Sequence, residues 1–240
     1  MSERSVEPVV TASDISVTHL TPAGEVHALV RASLELYPGE LVVLIGPSGA
    51  GKTTLLHVLG GIESASSGSV RVGETVVTDA PERDLDRVRR DDIAFIFQSF
   101  GLLEALTAAE NVEIPLRIAR AEPRARDERV SALLERVGLA GHAAQRPAEL
   151  SGGQRQRVAI ARALAASPRV LLADEPTGQL DSHTAEAMID LIASVAHDDG
   201  VAVLLSTHDP SIVARADRVL EIHDGVLTER SLLAPASASE

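Results

Sequence analysis

Leu41-Val42-Val43-Leu44-Ile45-Gly46-Pro47-Ser48-Gly49-Ala50-Gly51-Lys52-Thr53-Thr54 decides the fold. Five apolar residues, Leu41–Ile45, read as a buried strand, and Lys52–Leu59 reads as the helix that leaves the loop. Between them Gly46 to Thr53 matches the pattern of a phosphate-binding loop in its proper strand-to-helix context. The glycines let successive backbone N–H groups curl around a di- or triphosphate, and the helix N-terminus adds the positive end of its dipole. In this reading Gly46, Pro47, Ser48, Gly49, Ala50 and Gly51 form the cradle. Lys52 bridges β- and γ-phosphate oxygens, Thr53 offers its hydroxyl to Mg²⁺, and Thr54 completes the nucleotide-binding run.

Outward from this loop, apolar runs alternate with helical patterns, the signature of an α/β architecture. Further strands are expected at Ile93–Phe97, Val170–Ala173, Val201–Ser206 and Arg218–Ile222. Shorter runs at Ile15–His19, Leu34–Tyr37 and Val70–Val77 read as an antiparallel flank. Helices are expected at Ser182–Ala196 and Ser211–Ala214. From about residue 98 to 164 strand signal nearly vanishes, and helices are expected at Ala108–Ile118, Arg124–Val137 and Gln154–Ala166. The chain therefore reads as one nucleotide-binding domain of 240 residues. Its catalytic core takes in about 9–97 and 165–230, a helical subdomain fills about 98–164, and an Ala/Ser-rich tail at 231–240 is expected to fray.

Composition narrows the chemistry. Cysteine is absent, which excludes disulfides, thiolate metal sites and thiol catalysis. The formal net charge of −13 disfavours nucleic acid and anionic lipid as partners, since both call for a basic face. No run approaches the roughly 18–20 apolar residues that span a bilayer, and MSERSVEPVV lacks the pattern of a signal peptide. A cytoplasmic location follows as the expectation. All but one of the 22 basic residues are arginine, and the exception is Lys52. A lysine retained there marks a site that calls for a compact ammonium rather than a planar guanidinium.

Val170-Leu171-Leu172-Ala173-Asp174-Glu175 is an apolar strand ending in two acids. Alone it is compatible with a solvated strand end. Downstream of a phosphate loop it reads as a carboxylate that holds Mg²⁺, Asp174, followed by a general base that polarises an attacking water, Glu175. Leu150-Ser151-Gly152-Gly153-Gln154 opens a helix with a hydroxyl and two glycines, a second phosphate-shaped device in the chain. By itself that could be an ordinary turn, just as Ser206-Thr207-His208-Asp209-Pro210 could simply cap a strand.

The order and spacing of these elements change their weight. The phosphate loop, Gln98, the Leu150–Gln154 signature with Arg155 to Leu164 behind it, Asp174-Glu175 and His208 together resemble the nucleotide-binding subunit of an ABC transporter. The resemblance covers about residues 9–230. Ala173 to Asp181, and Phe97 to Leu103 with Leu106 to Val112, look like the macrolide-export, lipoprotein-release and bacitracin-resistance branch, to which a cell-division relative is similar. The resemblance implies that two subunits stack head to tail around two ATP molecules. Each ATP would then be held by one phosphate loop and the opposite Ser151, Gly152, Gly153 and Gln154. It also implies that Gln98 senses Mg²⁺ and γ-phosphate, that His208 contacts γ-phosphate and the attacking water, and that Asp181 lies in the loop coupling the sites. A separate permease would be the membrane partner, holding the subunit at the inner face of the cell membrane.

Three departures stand out. His19 occupies the place where the family usually stacks an aromatic, most often Tyr, on adenine, and an imidazole offers less stacking area. Gln179 stands where the branch more often has Asn. The chain has four aromatic residues, one Tyr and three Phe. Phe95 and Phe97 alternate along a strand and read as core, which leaves Phe100 as the expected contact for a membrane partner. Two other classes compete with the permease-driving ATPase. A soluble ABC ATPase of an assembly machine, such as one for iron–sulfur clusters, would suit the length. A nucleic-acid ATPase would need coiled-coil insertions or a second nucleotide domain that 240 residues do not hold.

Overall fold

The computed structural model describes residues 6–230 apart from Ala23 and Gln179. The tail at 231–240 and the Gln179 departure therefore lie outside the described residues. β1 (Val10–Thr21) and β2 (Gly24–Leu36) form a long antiparallel hairpin. Irregularities interrupt its register between Ala12 and Thr18. Asp14 and Arg31, both at positive φ, form an ion pair across that stretch. β3 (Leu41–Ile45) then enters the phosphate loop, and α1 (Lys52–Leu59) leaves it, both with the expected bounds. β4 (Ser67–Val72) and β5 (Thr75–Val76) complete an antiparallel sheet in the order β2-β1-β4-β5.

α2 (Glu82–Asp91) precedes β6 (Ile93–Ile96). The chain is helical from there to the next strand, in α3 (Ala108–Ile118), α4 (Pro123–Arg136) and α5 (Gly152–Leu164), with short 3₁₀ turns between the last two. Each start has a local cause. Thr107 and Glu110 form a capping box on α3, Pro123 occupies the first turn of α4, and Ser151 and Gln154 form a capping box on α5. β7 (Val170–Asp174), α6 (Ser182–His197), β8 (Ala202–Ser206), α7 (Pro210–Val213), β9 (Arg218–His223) and β10 (Val226–Arg230) follow.

The second sheet runs β10-β9-β3-β8-β7-β6, parallel except for β10. Its central strands are apolar at almost every position because both faces are covered. Leu41, Val43, Leu171, Ala173, Val203 and Leu205 belong to one core cluster, which also includes residues of α3 to α6. Val42, Leu44, Leu172 and Leu204 belong to another, together with α1 and the antiparallel sheet. The period of two thus divides one sheet between two cores. Register matters most at the carboxyl ends. Ser206 of β8 pairs with Leu44 of β3 on one side and with Asp174 of β7 on the other. The phosphate loop and the carboxylate pair therefore emerge at the same level of the sheet, where parallel α/β sheets bind their ligands.

Candidate active site

The phosphate loop depends on two glycines packed against backbone. A Cβ on Gly46, at φ +156, would stand 2.3 Å from the Ile222 carbonyl oxygen. One on Gly51, at φ +109, would stand 2.2 Å from that of Ala28. Only glycine fits either place. Pro47, Ser48 and Gly49 are exposed at the rim, and Ala50 is buried beneath them. Lys52 is 5% exposed. Its Nζ donates to the carbonyls of Gly46 at 2.9 Å and Pro47 at 3.1 Å, closing the loop on itself. Thr53 and Thr54 follow on the first turn of α1.

Three strand ends deliver the partners. Thr53 Oγ1 donates to Asp174 Oδ2 at 2.8 Å. Glu175 adopts φ +45, a left-handed conformation that a non-glycine residue holds only under constraint. Its Oε1 lies 2.6 Å from His208 Nε2 and 3.8 Å from Lys52 Nζ, while its Oε2 accepts from Gln98 Nε2 at 3.3 Å. Lys52 Nζ is 3.2 Å from the same His208 nitrogen. Lys52, Thr53, Gln98, Asp174, Glu175 and His208 therefore converge, as the sequence reading expects. An ammonium, an amide and an imidazole gathered around one carboxylate can bind phosphate oxygens and take a proton from water. Thr53 and Asp174 are hard oxygen donors in direct contact, a set that suits Mg²⁺.

Sequence reading missed Ser206. Its hydroxyl donates to Asp174 Oδ1 at 2.5 Å and accepts from the Glu175 backbone N–H at 3.0 Å. The available signal was a lone hydroxyl closing the otherwise apolar run Val201–Leu205.

The signature forms a separate cleft. Ser151 accepts from the Gln154 N–H at 3.2 Å, and the Ser151 N–H donates back to Gln154 Oε1 at 2.8 Å. Gln154 Nε2 is 2.9 Å from His142 Nε2. Ser151, Gly152 and Gly153 line this cleft with Asp181 and Thr184, and none of Gly46–Thr54 borders it. Asp181 caps α6, accepting from the Thr184 N–H at 3.0 Å and its hydroxyl at 2.8 Å.

The family profile described as "ABC transporter" matches residues 29–178. The chain belongs to the ABC transporter family. It is 44% identical over 214 residues to the lipoprotein-releasing system ATP-binding protein LolD of Maricaulis maris (strain MCS10), covering 89% of this chain and 93% of that protein. It is also 44% identical over 220 residues to the macrolide export ATP-binding/permease protein MacB of Escherichia coli (strain K12). That alignment covers 91% of this chain and 34% of MacB, so the chain spans about a third of that relative. A solved dimer of the ATP-binding cassette MJ0796, in a post-hydrolysis state bound to ADP and Pi, matches with a TM-score of 0.87 at 36% identity. The match covers 94% of this chain and 99% of that one. As a member of this family the chain is an ATP-binding cassette and an ATPase.

In this ABC cassette His19 stands on β1 opposite Val26 of β2, and both side chains are exposed. Its Nε2 lies 3.3 Å from Glu63 Oε1. Two residues beyond Val26, the Ala28 carbonyl packs on Gly51, which ties this edge of the hairpin to the phosphate loop.

The segment after Gln98 corrects one expectation. Phe100 is 9% exposed, with the Arg155 guanidinium 5.4 Å above its ring. Phe97 is 37% exposed and stacks on Phe95 at 5.4 Å. The assignments of core and surface are thus exchanged. β6 is the edge strand of its sheet and stops at Ile96, so Phe97 lies just past its end on the groove, whereas Phe95 is half-buried and packs against the core as expected. A left-handed turn at Phe100 and Gly101 folds the Phe100 ring toward α5. Arg162 of α5 secures that turn, donating to the carbonyls of Phe100 at 3.0 Å and Gly101 at 2.5 Å. Burial pushes the Arg162 guanidinium below its ordinary pKa. The groove, about 500 Å³, is lined by Phe95, Phe97, Leu103, Ile114 and Ile118, with Arg89 and Arg90 among the bordering residues.

Proposed function

We propose that this ABC cassette hydrolyses Mg–ATP at the cluster around Glu175 and thereby powers a separate membrane permease of the lipoprotein-release or macrolide-export type. The observation that carries the reading is the meeting of Lys52, Gln98, Glu175 and His208 at the carboxyl ends of the parallel strands. Lys52 would exchange its loop carbonyls for β- and γ-phosphate oxygens. Glu175, released from His208, would take a proton from the attacking water. That water's oxygen bonds to the γ-phosphorus as the bond to the β,γ-bridging oxygen breaks, giving ADP and phosphate. His208 would turn to the γ-phosphate and hold the transition-state charge. Thr53, Asp174 and Gln98 would hold Mg²⁺, which supplies charge neutralisation at the phosphate oxygens.

Ser151, Gly152, Gly153 and Gln154 line a cleft apart from the phosphate loop. This supports a head-to-tail dimer in which each signature closes the other subunit's nucleotide, with Asp181 between the sites and the base on His19. ATP binding would close that dimer and hydrolysis would reopen it. Residues 98–164 form the subdomain that meets the permease, through the apolar groove between β6 and α3. None of the described helices is long and apolar enough to cross a membrane. Membrane contact would thus come through the permease, at the cytoplasmic face, and the acidic balance of the chain argues against a nucleic-acid partner.

Glu175→Gln tests the reading. It is expected to bind Mg–ATP, hydrolyse it about 10²–10⁴-fold more slowly, and sediment as a dimer. A variant that stays monomeric at saturating Mg–ATP overturns the sandwich. A tagged chain that draws down a soluble assembly protein from detergent-solubilised membranes, and no permease, overturns the transport role in favour of the assembly-machine reading.

A further inference from the structure

Ser206 closes β8, the strand between the one that carries the phosphate loop and the one that carries Asp174. It is wholly buried, and the rest of its strand is apolar and buried with it. A hydroxyl in such a place costs stability unless its proton and lone pairs are matched. Alanine would serve the packing equally well. The hydroxyl of Ser206 is matched, and both of its partners belong to the acidic pair: it donates to Asp174 Oδ1 at 2.5 Å and accepts from the Glu175 N–H at 3.0 Å.

A serine hydroxyl has one proton, so the donor bond to Asp174 fixes its rotor and leaves a lone pair for Glu175. An Asp carboxylate has a broad torsion about its last bond, and neighbours must set its plane. Thr53 holds Oδ2 at 2.8 Å and Ser206 holds Oδ1, one bond on each oxygen. Thr53 sits on the exposed rim of the site, whereas Ser206 is anchored in the sheet. The Glu175 N–H also reaches the Ser206 carbonyl at 3.1 Å, so losing the hydroxyl leaves Glu175 one backbone acceptor but leaves Asp174 without its buried donor.

We propose that Ser206 is a positioning residue which orients the Asp174 carboxylate for the divalent cation of the ATPase reaction. The inference rests on the Mg–ATP reading of the site. It goes beyond that reading in assigning cation affinity to a residue that would touch neither cation nor nucleotide. Partners behind a metal ligand commonly set its orientation, and their loss typically costs about 10–100-fold in metal affinity.

The test is binding of a fluorescent N-methylanthraniloyl ATP to the full chain, first in EDTA and then across a Mg²⁺ titration at fixed nucleotide. Ser206→Ala is expected to bind the nucleotide in EDTA as the parent does and to need about tenfold more Mg²⁺ to reach the half-maximal change. Ser206→Cys, close in size with a weak donor, is expected to fall between the two, and it keeps the test open if the alanine variant does not fold. An unchanged Mg²⁺ midpoint overturns the inference. So does a lowered melting temperature with the midpoint unmoved, the mark of a packing role. Equal weakening with and without Mg²⁺ overturns it too, since that would be damage to the phosphate loop. If the parent protein shows no Mg²⁺-dependent nucleotide binding, the reading of the site as a Mg–ATPase fails first and takes this inference with it.

Discussion

His208 Nε2 lies 2.6 Å from Glu175 Oε1, closer than any other group reaches that oxygen. At that distance from a carboxylate the imidazole nitrogen is the donor, and the protons of Lys52 go to the Gly46 and Pro47 carbonyls. The carboxylate proposed above as the general base is thus held by the imidazole. His208→Ala removes this hold and, on the proposed mechanism, the contact with the γ-phosphate. It is expected to lower kcat for ATP about 10²-fold or more while leaving KM little changed, since the lost contact belongs to the transition state. Steady-state phosphate release at saturating Mg–ATP reads it.

His19 offers an imidazole where a larger ring would cover more of a base, and it is also engaged with Glu63. Replacing it with Tyr adds stacking area and frees it of that partner. His19→Tyr is expected to bind ATP about 2- to 10-fold more tightly, the range that an aromatic pair adds beyond area alone. Equilibrium titration with and without the substitution decides it. Unchanged affinity would mean that the base does not rest on this strand.

Arg162 ties the turn after Gln98 to the helix that opens with the signature. Arg162→Ala would leave the Phe100 carbonyl without its donor, while the exposed Gly101 can turn to water, and is expected to destabilise the fold by about 1–2 kcal/mol, measured by urea unfolding. Arg162→Lys should recover less than half of that, because an ammonium cannot reproduce the forked geometry.

The groove beside β6 presents Leu103 and Ile118 to solvent, Ile118 at 61% exposure. Ile118→Asp and Leu103→Asp place a charge on that apolar surface without touching the nucleotide cluster. Each is expected to cut recovery of the permease with tagged cassette by about tenfold or more, because an unpaired carboxylate against apolar surface costs more than the roughly 1.4 kcal/mol that tenfold represents, while basal ATPase activity stays as in the parent. Undiminished recovery would move the docking surface elsewhere.

The parts of the fold that sequence displays best are those whose burial is simplest. Leu41–Ile45, Lys52–Leu59 and Ala108–Ile118 have the expected bounds because an apolar run, a glycine-rich turn or a capping box marks each edge. α2 escaped notice because eight of the ten residues of Glu82–Asp91 are charged, and its core-facing face consists of Leu85 and Val88 alone, too few to show a helical period. The β1–β2 hairpin is far longer than the runs that announced it, because left-handed residues and register shifts break the alternation. β10 is mostly exposed and edge-bound, with no apolar pattern to read.

At the site, residues in contiguous motifs were legible, and so were Gln98 and His208 once family order was considered. Ser206 was not, because its meaning lies in a lateral register across three strands rather than along the chain. Phe97 and Phe100 were exchanged for a different reason: β6 stops at Ile96, and the left-handed turn at Phe100 and Gly101 redirects the chain after it.

The single lysine has a consequence for how this protein can be watched. Every other basic side chain is a guanidinium, so amine-selective reagents find one side-chain target in the sequence. That amine is almost wholly shielded and spends its protons on two loop carbonyls. Acylation there, read by the mass of one peptide, becomes a gauge of whether the loop is closed on itself or opened for phosphate. For the same reason, enzymes that tag proteins through lysine would find no exposed lysine side chain among the described residues.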